Sequence, residues 1–293
     1  MKTSTAELLF EVHNIVGEGP VWHPIEKRLY WVDIPAGDLY QTNSDLSEFK
    51  KTHFETQIGT FAFKADGGFL LAAAEGFANW HEGQVEPEYF WNPLPDREGV
   101  RLNDGKVDPS GRFWAGSMDF THKKGQLYRL DPDGSQHTIL NNIGISNGLG
   151  WSPDRKTMYY TDSLQFTIFA FDYDLDTGAI TNQRPFVQLP QTSAEIVPDG
   201  LCVDTEGCVW SAHWNGWGLS RYDPQGHPIQ RVEVPVQKVT SCFFGGDDLD
   251  QLFITTAREG IPISELPNQP HAGDLFIYQT DTQGLGTHFF GQG

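Results

Sequence analysis

Apolar residues along this chain alternate with polar ones in short runs, and the runs end in clusters of Gly, Asp, Asn and Pro. RLYWVDI (28–34), GGFLLAA (67–73), GRFWAGS (111–117), KTMYYTDS (156–163), GCVWSAH (207–213) and DQLFITT (250–256) all have this form. β-branched and aromatic residues between turn formers predict β-strands. Each run is followed by a further strand ending in a polar turn, such as YRLDPDG (128–134), FDYDLDTG (171–178) or YDPQG (222–226). No convincing helical period interrupts them, so a parallel α/β fold is excluded.

The strands come in repeats. The stretch beginning Asn103-Asp104-Gly105 and the stretch beginning Asp199-Gly200 share Val107/Val203, Asp108/Asp204, Gly111/Gly207 and Trp114/Trp210 in one frame. The same frame fits Glu18-Gly19 and Asn147-Gly148, and more loosely the stretches from Gly59 and Thr240. The resulting register positions are 18, 59, 103, 147, 199 and 240. Their mean spacing of about 44 residues is that of a propeller blade. Six units of about four strands predict an all-β, six-bladed propeller. With no linker or composition break, the expectation is one domain over residues 1–293, in which the Pro-rich stretch 261–273 forms a loop of the last blade.

Equivalent positions of a propeller converge on its central channel. Here they bring Glu18, Asn103, Asn147 and Asp199 to one small space, with Gly59 and Thr240 completing the ring. Any one Glu-Gly, Asn-Gly or Asp-Gly is an ordinary turn dipeptide. Four oxygen-bearing side chains in equivalent positions are more than turn chemistry explains. Two carboxylates together repel unless a cation separates them. A ring without His or Cys points away from a structural zinc site and toward hard oxygen ligation.

Composition narrows the partners. Asp and Glu total 39 against 20 Lys and Arg, a net charge of −19, which disfavours nucleic acid and anionic membrane surfaces. No apolar run is long enough for a membrane span. Glu7 and Glu11 break up the first apolar stretch, and three cysteines are sparse, so a cytoplasmic protein is expected. The oligomeric state is left open.

The stretches GEGPVWHPIEKRLYWVDIPAGDLY (17–40), RLNDGKVDPSGRFWAGSM (101–118), ISNGLGWSPDRKTMYYTDS (145–163) and PDGLCVDTEGCVW (198–210) resemble the senescence-marker-protein/gluconolactonase/regucalcin group of six-bladed propellers. The resemblance runs from about Glu11 to Gly286. It implies a metal-dependent lactonase that opens a sugar (aldono-) lactone to the aldonic acid. It places the metal on Glu18, Asn147 and Asp199, with Asp199 also as proton acceptor and donor, and the substrate on Arg101 and Asn103. In related organophosphate-hydrolysing propellers the residue resembling Asn103 ligates the metal, so both roles stay open for it. Some members carry a substrate-contacting glutamate three residues after a G-T-M triplet. Here the triplet is Gly116-Ser117-Met118 and the position is Thr121, with Asp119 and His122 as the nearest polar residues. The implied cofactor is one divalent cation, Ca²⁺ first, with Mg²⁺, Mn²⁺, Fe²⁺ and Zn²⁺ also admitted. The alternatives are phosphotriester or other ester hydrolysis on the same metal, or a non-catalytic metal-binding scaffold.

Other motifs are weaker. Gly144-Ile145-Ser146-Asn147-Gly148 matches a nucleophile elbow, but a strand pattern follows it where that motif needs a helix. Asp172, Asp174 and Asp176 resemble a calcium loop with its Gly one position late and no distal Glu, and so read as a hairpin turn. Cys202, Cys208 and Cys242 read as buried strand thiols. His23, His81, His213 and His271 are possible bases without an assignment, and Trp214 and Trp217 could rim the pocket as a sugar platform.

Overall fold

The computed structural model describes residues 1–43, 46–94 and 99–292. Six sheets surround a channel. Their inner strands are Gly17–His23, Ile58–Phe63, Arg101–Val107, Ser146–Trp151, Val197–Val203 and Lys238–Gly245, one for each register position and in chain order, and define blades one to six. Each inner strand pairs antiparallel with the next strand in sequence, and the meander continues outward.

The repeated Val-Asp…Gly…Trp frame has a physical cause. Asp108 Oδ1 accepts the N–H groups of Ser110 and Arg112, and its Oδ2 accepts the Trp114 indole N–H at 2.9 Å. Asp204 does the same for Glu206, Cys208 and Trp210, the last also at 2.9 Å. Each buried carboxylate thus fixes a turn and pins the tryptophan of the following strand. Gly111 and Gly207 lie within those turns at φ of 78° and 79°, where a side chain would be strained.

Apolar side chains fill the wedges between neighbouring blades. Tyr30 and Val32 of blade one pack with Phe61 and Phe63 of blade two. Trp114 of blade three packs with Leu149 and Trp151 of blade four.

The ring is closed by Glu7–Phe10, which adds an outermost strand to blade six against Leu275–Gln279. Lys2–Thr5 adds a fifth, parallel strand to blade five. Neither addition was visible in the repeat pattern. The stretch 261–273 does fall between two strands of blade six, with one 3₁₀ turn at Leu266–Asn268. Residues 283–292 cross the channel end remote from the register positions, bonding in turn to Thr205, Trp22, Phe63 and Gly111. A cavity of about 300 Å³ lies between that segment and the inner strands, lined by Lys106, Arg155 and His288 among others. Among the described residues no helix is long and apolar enough to cross a membrane.

Candidate active site at the channel mouth

Every inner strand slips register with its neighbour at or directly after its register position. The slips fall between Glu18 and Val21, Ile58 and Thr60, Leu102 and Gly105, Asn147 and Leu149, Pro198 and Leu201, and Val239 and Ser241. A bulge re-aims a side chain and leaves its backbone outside the ladder. Six bulges at one level make a ring of redirected positions at one end of the channel.

Glu18, Asn103, Asn147 and Asp199 are 6, 7, 6 and 5% exposed, so the ring is buried. Asn103 Nδ2 donates to the Ser146 carbonyl and to Asn147 Oδ1, both at 2.8 Å, and Asn103 Oδ1 accepts from Arg101 at 2.6 Å. Asn147 Nδ2 donates to Ser163 Oγ at 2.9 Å, and Ser163 in turn donates to the Pro198 carbonyl. The Asn147 amide is therefore oriented from behind, with its oxygen turned to Asn103.

The carboxylates are electrostatically strained. Burial first, then Asp104, pushes the Glu18 carboxyl up to about 8, against the pull of the Gly19 N–H and of Arg101 and Lys106. Burial, followed by Glu18 and Asp104, raises Asp199 well above the ordinary carboxylate range. Asp199 Oδ1 is buried with no hydrogen-bond partner among the described residues. Burial also lowers Arg101 to about 10, while Glu18 and Glu259 oppose that shift.

Asp104 was missed by the sequence reading. It is buried, raised by desolvation, and close enough to act on both Glu18 and Asp199. A signal was present: Glu18, Asn147 and Asp199 are each followed by glycine, whereas Asn103 is followed by a carboxylate.

Other expected residues fall elsewhere. Thr121 is exposed in the loop after Phe113–Met118, at the rim shared with Arg101, and its N–H binds Asp119 Oδ1 at 3.1 Å. His213 lies on the second strand of blade five between Tyr222 and Arg231, where burial drives it down to about 3, so it is a neutral packing residue. His23 sits at the far end of its strand against Phe63 and Phe289. Neither faces the ring. Ser146 lies in a strand, without the elbow's helix. Asp174 accepts from Thr177 in a hairpin turn. Cys202, Cys208 and Cys242 are free and buried.

Among the described residues no three His, Cys, Asp or Glu side chains form a metal-ligand cluster. A cation here thus needs amide oxygens beside the carboxylates. The ring fits one: its unpartnered Asp199 oxygen, mutually repelling carboxyls and pre-oriented Asn147 amide are hard donors whose charge Arg101 and Lys106 only partly offset.

The architecture is that of a six-bladed propeller with an oxygen-donor ring at one channel mouth. Residues 16–258 match the model of the SMP-30/Gluconolactonase/LRE-like region, and the chain belongs to that family. Regucalcin of Danio rerio is 38% identical over 283 residues, 94% of each chain. Among solved structures, a calcium-binding protein, regucalcin, from Agrobacterium tumefaciens superposes with a TM-score of 0.91 at 26% identity, covering 99% of this chain and 98% of that one. A luciferin-regenerating enzyme superposes with a TM-score of 0.89 at 29% identity, covering 97% and 98%. The family supports sugar-lactone hydrolysis as the general class of activity.

Proposed function

We propose that the protein hydrolyses a sugar lactone to its aldonic acid, with one divalent cation held by Glu18, Asn147 and Asp199. The observation that carries this reading is the buried register ring with its unpartnered Asp199 oxygen. A bound cation would polarise the lactone carbonyl and neutralise the ring's repulsion. Calcium is the first candidate, because all-oxygen ligation suits it and a close structural neighbour is named a calcium-binding protein.

The chain's own residues supply the remaining chemistry. Asp199 takes a proton from water as the water oxygen bonds to the carbonyl carbon. It returns that proton to the ring oxygen as the carbon–oxygen bond of the lactone breaks, which leaves a carboxylic acid and a free hydroxyl. Arg101, fixed by Leu102 and Asn103, presents its guanidinium donors to substrate oxygens. Asn103, expected as a substrate contact, spends both ends of its amide on Arg101, Ser146 and Asn147 and acts as a positioning residue. Burial of the ring excludes bulk water, which strengthens each of these interactions.

A substrate panel tests the reading. Protein stripped by chelation and reloaded with each cation is assayed on pentonolactones, hexonolactones and neutral phosphotriesters. Turnover of lactones that needs the cation supports it. Turnover of phosphotriesters alone would make the same ring a different esterase, and no turnover at all would make it a metal-binding scaffold.

A further inference from the structure

Six residues stand two places before the register positions: Val16, Gln57, Arg101, Ile145, Val197 and Lys238. Two of them are cations, and they belong to blades three and six, which face each other across a six-membered ring. Their local geometry is the same. Arg101 pairs with Met118 and Lys238 with Ala257, each at the mouth-side end of its inner strand and just before that strand's bulge. Glu259, exposed beyond the second strand of blade six, acts electrostatically on both, which places them at one rim.

Lys238 is 8% exposed, and its ammonium lies 4.2 Å from the centre of the Trp214 ring. Among the described residues no acceptor lies within hydrogen-bond distance of that ammonium, and Glu259 forms no ion pair with it. The side chain is mostly buried while its ammonium has no protein acceptor, so it is held in place over one aromatic face with its donors free for an incoming acceptor. Arg101 differs, since its guanidinium already binds Leu102 and Asn103. Burial holds the Lys238 ammonium below its ordinary range, with Glu259 in opposition, which is consistent with a group lacking its counter-charge.

We infer that Lys238 determines specificity by binding a carboxylate on the substrate, opposite Arg101, so that the preferred substrate is a lactone bearing a second, free carboxylate. This rests on the lactonase reading of the ring and names its substrate class. A hydroxyl would satisfy one donor, whereas a carboxylate supplies both acceptors and charge. The chain's net charge of −19 repels anions in general, so a pair of buried cations at the mouth is the local feature that admits one.

The test compares a hexonolactone with the carboxylate-bearing lactone of a hexaric acid, on cation-loaded wild type, Lys238→Gln and Lys238→Arg. Lys238→Gln should raise KM for the carboxylated lactone by at least about tenfold, leave its kcat within about twofold, and leave the neutral lactone unchanged. Lys238→Arg should recover most of the loss. Equal effects on both lactones, or no effect on either, would overturn the assignment. If wild type turns over neither, the lactonase reading fails, and the cation-loaded proteins are titrated by calorimetry with the hexarate dianion and the hexonate monoanion. A preference for the dianion that Lys238→Gln removes supports the Lys238 site, and its absence overturns it.

Discussion

Asn103 Nδ2 donates to Asn147 Oδ1 at 2.8 Å, across the boundary between blades three and four. That bond, with those to Ser146 and Arg101, commits both ends of the Asn103 amide. Asn103→Asp would set carboxylate oxygens against two acceptors and add a further charge near Glu18, Asp104 and Asp199. Cation-free Asn103→Asp should be destabilised by about 2 kcal/mol or more, the cost of buried groups left unsatisfied. Saturating cation should narrow the gap. Denaturant unfolding with and without cation measures both, and equal stability of the two cation-free proteins would contradict the bonding described.

The ring's ligands are testable one at a time. Glu18→Gln, Asn147→Ala and Asp199→Ala should each weaken cation binding by at least about tenfold, or about 1.4 kcal/mol, with the fold retained. Titration calorimetry decides this. Unchanged affinity in all three would remove the ring as the cation site.

Stability against pH carries a definite sign. A carboxyl raised in the folded state keeps its proton where the unfolded chain has released it. For Glu18 that window runs from the ordinary value of 4.5 to about 8. Cation-free stability contributed by Glu18 is therefore present at low pH and lost as pH rises through this window, and Asp199 acts in the same direction. A cation favours the ionised forms. The gain in Tm on adding cation should accordingly be larger near pH 8 than near pH 5. A gain that is equal, or larger at the acid end, would show that these carboxyls do not meet the cation.

The propeller was legible because its repeats carry structural chemistry. Val107, Asp108, Gly111 and Trp114 recur as Val203, Asp204, Gly207 and Trp210 since a buried aspartate has to hold a turn and an indole at once. The ring was legible for the same reason, as Glu18, Asn103, Asn147 and Asp199 occupy the frame's bulge. What stayed hidden lies off the frame. Glu7–Phe10 closes blade six by pairing with Leu275–Gln279, a contact between opposite ends of the chain that no local pattern encodes. Asp104 stands one place after the register position of blade three, and Lys238 two places before the unremarkable Thr240. His213 could pass for a base until its burial between Tyr222 and Arg231 was seen.

Arg101 reaches over the ring from blade three, and its removal should spare the cation. Arg101→Leu is expected to bind cation within about threefold of wild type while kcat/KM on the best lactone falls by about tenfold or more, the loss of an oriented donor pair. Wild-type kcat/KM in this variant would place the substrate elsewhere.

Asp199 carries two roles, ligand and base, and one substitution separates them. Asparagine is nearly isosteric and keeps one oxygen, but it cannot accept a proton. The deciding measurement is kcat for acid release from an aldonolactone by Asp199→Asn at saturating cation, beside wild type under the same conditions. The expected result is measurable cation affinity together with a loss of about 10²-fold or more, in line with general-base contributions. A kcat restored to near the wild-type value by saturating cation would contradict a base at Asp199 and leave it a ligand only.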